Sequence, residues 1–201
     1  MKYDKVLLKS WTEMETYYQF LERNGAFNNV SKEVWRHIEQ QYFRIVKQRI
    51  EYCRRLLAEH DDFFIYYTLA ELSSRGNLDG SSEYLFQRPV RFYAIKAIRK
   101  NPYYAPAWAL LAGAYRWLAC LGREGKSMPK MKATLGENDI AVEIDKGARQ
   151  EWAANESIRF VEKAIRCLKK AVALDPGNDK YQSSLKKCYY FRAEEDELLG
   201  S

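Results

Sequence analysis

Tyr93-Ala94-Ile95-Lys96-Ala97-Ile98-Arg99-Lys100-Asn101-Pro102, followed shortly by Ala107-Trp108-Ala109-Leu110-Leu111-Ala112-Gly113-Ala114-Tyr115, is the stretch that decides how this chain folds. The first part reads as a helix end. Small and apolar residues recur at helical spacing and stop at Asn101-Pro102, because proline lacks the N–H that the helical ladder needs. The second part reads as a new helix with small residues on one face. Two other stretches share the plan. Cys167-Leu168-Lys169-Lys170-Ala171-Val172-Ala173-Leu174 stops at Asp175-Pro176 and resumes over Tyr181 to Tyr189. Tyr52 to Glu59 stops at His60-Asp61 and resumes from Tyr66. In each, a small or apolar residue stands five positions before the breaker. An aromatic or polar residue stands six positions after it.

Working outward, the periodicity predicts helices over about Tyr3–Arg23, Lys32–Glu59, Asp62–Ser74, Glu83–Lys100, Ala105–Leu121, Ala148–Leu174 and Asp179–Leu198. Asn24-Gly25 ends the first as a left-handed cap would, and Ser31 offers its hydroxyl as N-cap to the second. Pro89 lies near the start of the fourth and removes one donor there. Gly122 to Lys146 breaks the pattern. It reads as a long insertion with no sustained apolar face and room for short helical pieces.

Bulk properties fit this reading. The 201 residues suffice for one domain, and 47% apolar against 30% charged is a globular balance. Ten Gly and five Pro are too few for a turn-rich β fold. No signal-like stretch opens the chain and no apolar run could span a bilayer, so the expected setting is the cytoplasm without membrane insertion. Cys53, Cys120, Cys167 and Cys188 are scattered, as buried thiols in a reducing compartment would be.

The paired pattern resembles the tetratricopeptide repeat, whose first helix carries Trp-x2-Leu-Gly-x2-Tyr and whose second carries Ala and Phe before a terminal Pro. Trp108, Leu111, Ala112 and Tyr115 match the first-helix pattern. Ala97 with Pro102, and Ala164, Leu168 and Ala171 with Pro176, match the second. Trp11, Met14, Glu15 and Tyr18, and Tyr67, Ala70 and Glu71, match more weakly. The spacing departs from the family's 34 residues: Asp61 to Pro102 is 41 and Pro102 to Pro176 is 74. The resemblance implies an all-α fold of antiparallel helix pairs stacked as a right-handed superhelix. The pairs are 3–59, 62–100 and 105–174 with insertion 122–146, closed by a capping helix over 179–198.

In such a stack the first helix of each pair lines a concave face. Residues there that the packing motif does not use become the candidate partner-binding set: Phe20; Leu72 and Arg75; Ala109, Gly113, Arg116 and Trp117; Lys187 and Tyr190. Thr12, Thr16, Thr68 and Ser183 share those faces. Aromatics with Arg are the residue types that dominate binding hot spots. Family members that grip the acidic tail of a chaperone use Lys, Asn and Arg on these faces. Here Thr12, Thr16, Leu72, Ala109 and Gly113 stand at the corresponding positions, so that partner is not expected.

No phosphate-loop, dinucleotide, nucleophile-elbow or Cys–His arrangement is present, so no catalytic residue, cofactor or metal is assigned. Glu33 with His37, one turn apart, is the nearest approach to a metal pair and reads as surface. The leading expectation is an adaptor or scaffold that binds a peptide or helix of a partner protein. A second reading is nucleic-acid binding through the basic faces, Arg44, Lys47, Arg54 and Arg55 on one helix and Arg88, Arg91, Lys96, Arg99 and Lys100 on another. A third is a self-assembling scaffold, hence a homo-oligomer.

Overall fold

The computed structural model describes residues 4–11, 13, 31–75, 84–123, 128–135, 140–150 and 156–200. The first helix, α1, covers residues 5–11. It starts where the Asp4 carboxylate accepts from the backbone N–H groups of Val6 and Leu7, at 2.9 and 3.0 Å. These are donors that have no carbonyl within the helix. Leu8 of α1 is fully buried in the core. Trp11 meets the Tyr52 ring edge-on at 5.4 Å, beneath the Arg49 guanidinium.

Six longer helices follow: α2 (Lys32–Glu59), α3 (Phe63–Ser73), α4 (Tyr84–Lys100), α5 (Ala105–Arg123), α6 (Glu156–Leu174) and α7 (Asp179–Gly200). Ser31 caps α2 through Val34 N–H, as the sequence suggests. Asp62 caps α3, accepting from Phe64 N–H at 2.8 Å. Pro89 sits inside α4. No described helix is long and apolar enough to cross a membrane.

Each helix packs on the next. The most extensive contacts are α5 with α6 and α3 with α4, and α3 also touches α5. Small residues make the close approaches: Ala94, Ala97, Ala112, Ala164 and Ala171 are all at most 1% exposed. Leu69, Leu72, Tyr93, Val161 and Leu168 fill the space around them. The Ser157 hydroxyl donates to the Ala119 carbonyl at 3.1 Å and fixes the start of α6 against α5.

The six-residue spacing after each Pro has a structural cause. Trp108 Nε1 donates to the Pro102 carbonyl at 2.8 Å, and Gln182 Nε2 donates to the Pro176 carbonyl at 2.6 Å. The turns before α5 and α7 are thus built alike. Each is four residues long, 101–104 and 175–178, whereas only residues 60–62 separate α2 from α3.

The insertion corrects one expectation. In place of short helical pieces it carries an antiparallel hairpin, β1 (Met128–Leu135) with β2 (Ile140–Gln150), and α6 begins at Glu156 rather than near Ala148. Ile140-Ala141-Val142-Glu143-Ile144-Asp145 alternates with a period of two, which is a strand pattern that a search for helical spacing passes over. The register slips between Pro129 and Lys130, where proline has no N–H to give to the ladder.

Candidate functional site

The helical period of about 100° per residue sorts the residues of α5 by direction. Ala105, Ala107, Leu111, Ala112, Ala114, Leu118 and Ala119 are buried. What remains on the opposite side is one strip of Pro106, Ala109, Gly113, Arg116, Trp117 and Cys120. Gly113 and Arg116 are exposed, and the other four are half-buried. A Cβ added at Gly113 would meet no atom within 4 Å. The four α5 residues expected to face a partner therefore share one side of that helix.

On α7, Ser183, Lys187 and Tyr190 are exposed, Tyr190 by 60%. Lys186 lies over the Tyr190 ring. The packing side of α7 carries Tyr181, Leu185 and Cys188, with Cys188 fully buried. Burial raises the Cys188 thiol, and the Arg116 charge opposes that rise.

On α3 the expectation is corrected. Leu72 is fully buried in the core, and so is Thr68, whose hydroxyl donates to the Phe64 carbonyl. The Arg75 side chain is only 6% exposed and is paired with Glu71. Neither Leu72 nor Arg75 presents a free side to a partner. The cause is the shorter turn before α3. Aligning breaker with breaker, Asp61 on Pro102, shifts α3 by one residue relative to its own N-cap. One residue is about 100° of helix, enough to move Leu72 from an open face into the core. Counted from the helix starts, the positions that match Ala109, Gly113, Arg116 and Trp117 are Tyr67 and Glu71 of α3, then Ser74 and Arg75 just past its end. Phe20, Thr12 and Thr16 lie outside the described residues.

The true α3 face is occupied. Tyr104, in the turn before α5, packs its ring 5.3 Å from Phe63, 6.3 Å from Phe64 and 5.0 Å from Tyr67. Lys5 lies over Phe63. The Tyr67 phenol is raised well above its usual range, by burial first and then by the Glu71 carboxylate. Burial and Glu71 push Tyr104 up to about 12. Tyr181 of α7 is also raised, by burial and then by Asp175 and Glu71. Glu71, with its Arg75 partner, therefore sits among three tyrosines from α3, the α4–α5 turn and α7. Tyr104 of this cluster directly precedes α5.

Tyr67, Glu71, Tyr104 and Tyr181 were missed as site residues. Helix counting from Asp62 would have found the first two. Tyr104 and Tyr181 carry no signal beyond being aromatic residues near a turn. Among the described residues, no three His, Cys, Asp or Glu side chains gather in a metal-holding group. Glu33 and His37 are both exposed on α2. None of the four cysteines is in a disulfide. Burial pushes Cys53 up to about 12 and Cys167 to about 11, so both are held as neutral thiols. No protein-family model matches the chain, and a search of curated proteins gives no match.

Proposed function

We propose that the chain is a tetratricopeptide-like adaptor in which the open faces of α5 and α7 form a groove for an extended or helical segment of a partner protein. The observation that carries this reading is the α5 strip: Ala109 and Gly113 leave clear space beside Trp117 and Arg116. Trp and Arg are among the residue types enriched at binding hot spots. The notch suits a bulky side chain of the partner. Arg116 and Lys187 suit an acidic residue beside it. The Tyr67–Tyr104–Tyr181 cluster acts as the wall that sets where the segment stops. In this reading the protein runs no reaction.

Capture of partners with the wild-type chain and with an Arg116→Glu/Trp117→Ala variant tests the proposal. Both residues retain some exposure, and circular dichroism checks that the variant keeps its helices. Loss of a partner from the variant, restored by Trp117→Phe with Arg116 intact, is the expected outcome. Identical partner lists for the two proteins would rule the groove out.

A further inference from the structure

The chain's positive charge is concentrated on the even-numbered helices. By sequence α2 carries seven Lys or Arg and four Asp or Glu, α4 five and none, and α6 five and two. Together that is seventeen against six, a net +11, in a chain whose total is +6. The rest of the molecule is therefore acidic on balance. Like charges gathered on the same helix repel, which an anionic partner would offset.

Two of these helices converge on one place. Tyr115 and Phe160 stack with ring centroids 6.2 Å apart and planes 24° apart, joining α5 to α6. Arg91 of α4 lies 6.0 Å from the Tyr115 centroid. Lys163 of α6 lies 5.6 Å from Tyr115 and 5.2 Å from Phe160. Arg91 and Arg166 both act electrostatically on the Tyr115 phenol. Arg166 is exposed, and both rings are half-buried and packed against the core. Along α6, Arg159, Lys163, Arg166 and Lys170 recur at helical spacing on the outward side. The acid among them, Glu162, is 3.4 Å from Arg192. Tyr115 lies on the side of α5 away from the Gly113 strip, so this patch is separate from the proposed groove.

We infer that the α4–α5–α6 seam around Tyr115 and Phe160 binds single-stranded nucleic acid. The chemistry is that of a stacking platform beside a cation track: a base stacks on a ring, and neighbouring phosphates pair with Arg91, Lys163 and Arg166. The lysine ammonium that lies over the rings moves onto a phosphate as the base takes its place. A duplex fits worse, because its bases are already stacked on each other and offer no face to Tyr115. An acidic peptide would use the cations but not the rings.

The test is fluorescence anisotropy of the full chain with a labelled single-stranded RNA of about 20 nucleotides, the same sequence as DNA, and the matching duplex. Single strands bind at low salt. Neutralising three to four phosphates gives a slope of about −2 to −3 in log affinity against log salt. Lys163→Glu/Arg166→Glu, both on the solvent side of α6, lowers affinity at least about tenfold. Lys9→Glu/Lys180→Glu, equal in charge change but outside the patch, changes it by less than about twofold. Tyr115→Leu keeps the apolar contact and lowers single-strand affinity roughly tenfold through lost stacking, with an unchanged salt slope. Absence of binding at low salt overturns the inference. So does equal weakening by the patch and control pairs, which would mean net charge alone. A duplex bound as tightly as the single strand, or an Asp/Glu peptide that competes equally with the RNA, overturns it as well. If Tyr115→Leu fails to fold, the α6 pair and the salt slope still decide.

Discussion

At residue scale, the packing of the tyrosines gives a measurable pH response. Tyr66 and Tyr104 are each pushed up to about 12 from an ordinary 10.0, by burial first, then by Asp61 for Tyr66 and by Glu71 for Tyr104. A folded-state value above the unfolded one means stability that is fully present below about pH 10 and lost as pH rises through about 12. Absorbance titration at alkaline pH should show Tyr66 and Tyr104 ionising late and together with unfolding. A single transition near 10 with the helices intact would contradict this packing. The same scale shows what was legible in the sequence. Ala109, Gly113, Arg116 and Trp117 could be placed on one face because Pro102 fixes the start of α5. Leu72 could not, because a three-residue turn before α3 replaces the four-residue one and nothing in His60-Asp61-Asp62 marks where the count begins. Arg75 lies on the right side of α3, but its pairing with Glu71 depends on long side chains whose directions no spacing reveals.

Elements were easier to read than faces. The helices over Lys32–Glu59, Ala105–Arg123 and Asp179–Gly200 start as expected because Ser31, the Pro102 turn and the Pro176 turn punctuate them. The hairpin was missed because β1 and β2 are short alternating segments set inside a helical chain. Small residues at the helix crossings are the elements' main constraint, since they set how close α3 to α6 can approach. Ala164 of α6 is fully buried, so Ala164→Leu forces extra volume into a close-packed crossing. It should destabilise the chain by about 1–3 kcal/mol, read as a lower urea midpoint. Ala173→Leu, exposed on the same helix, should change stability by less than about 0.5 kcal/mol. Equal effects at the two positions would mean that α6 is not held at close range.

At the scale of the whole molecule, the helices form a consecutive stack with two chemically distinct sides. One carries the Gly113 notch, an aromatic wall and a few cations. The other carries the basic helices and the Tyr115–Phe160 pair. On the proposed reading, a protein segment lies on one side while a polyanion lies on the other. Its central claim is that the open side of α5 is where a partner segment lies. The most direct measurement places a photo-crosslinking phenylalanine analogue at Gly113, where the structure leaves space, and separately at Ala173 on the outward side of α6. The account predicts a crosslink to a defined segment of a partner protein from position 113, lost with Arg116→Glu, and no protein crosslink from position 173. Equal crosslinking from both positions, or none from 113 in a folded protein with its partners present, would contradict it.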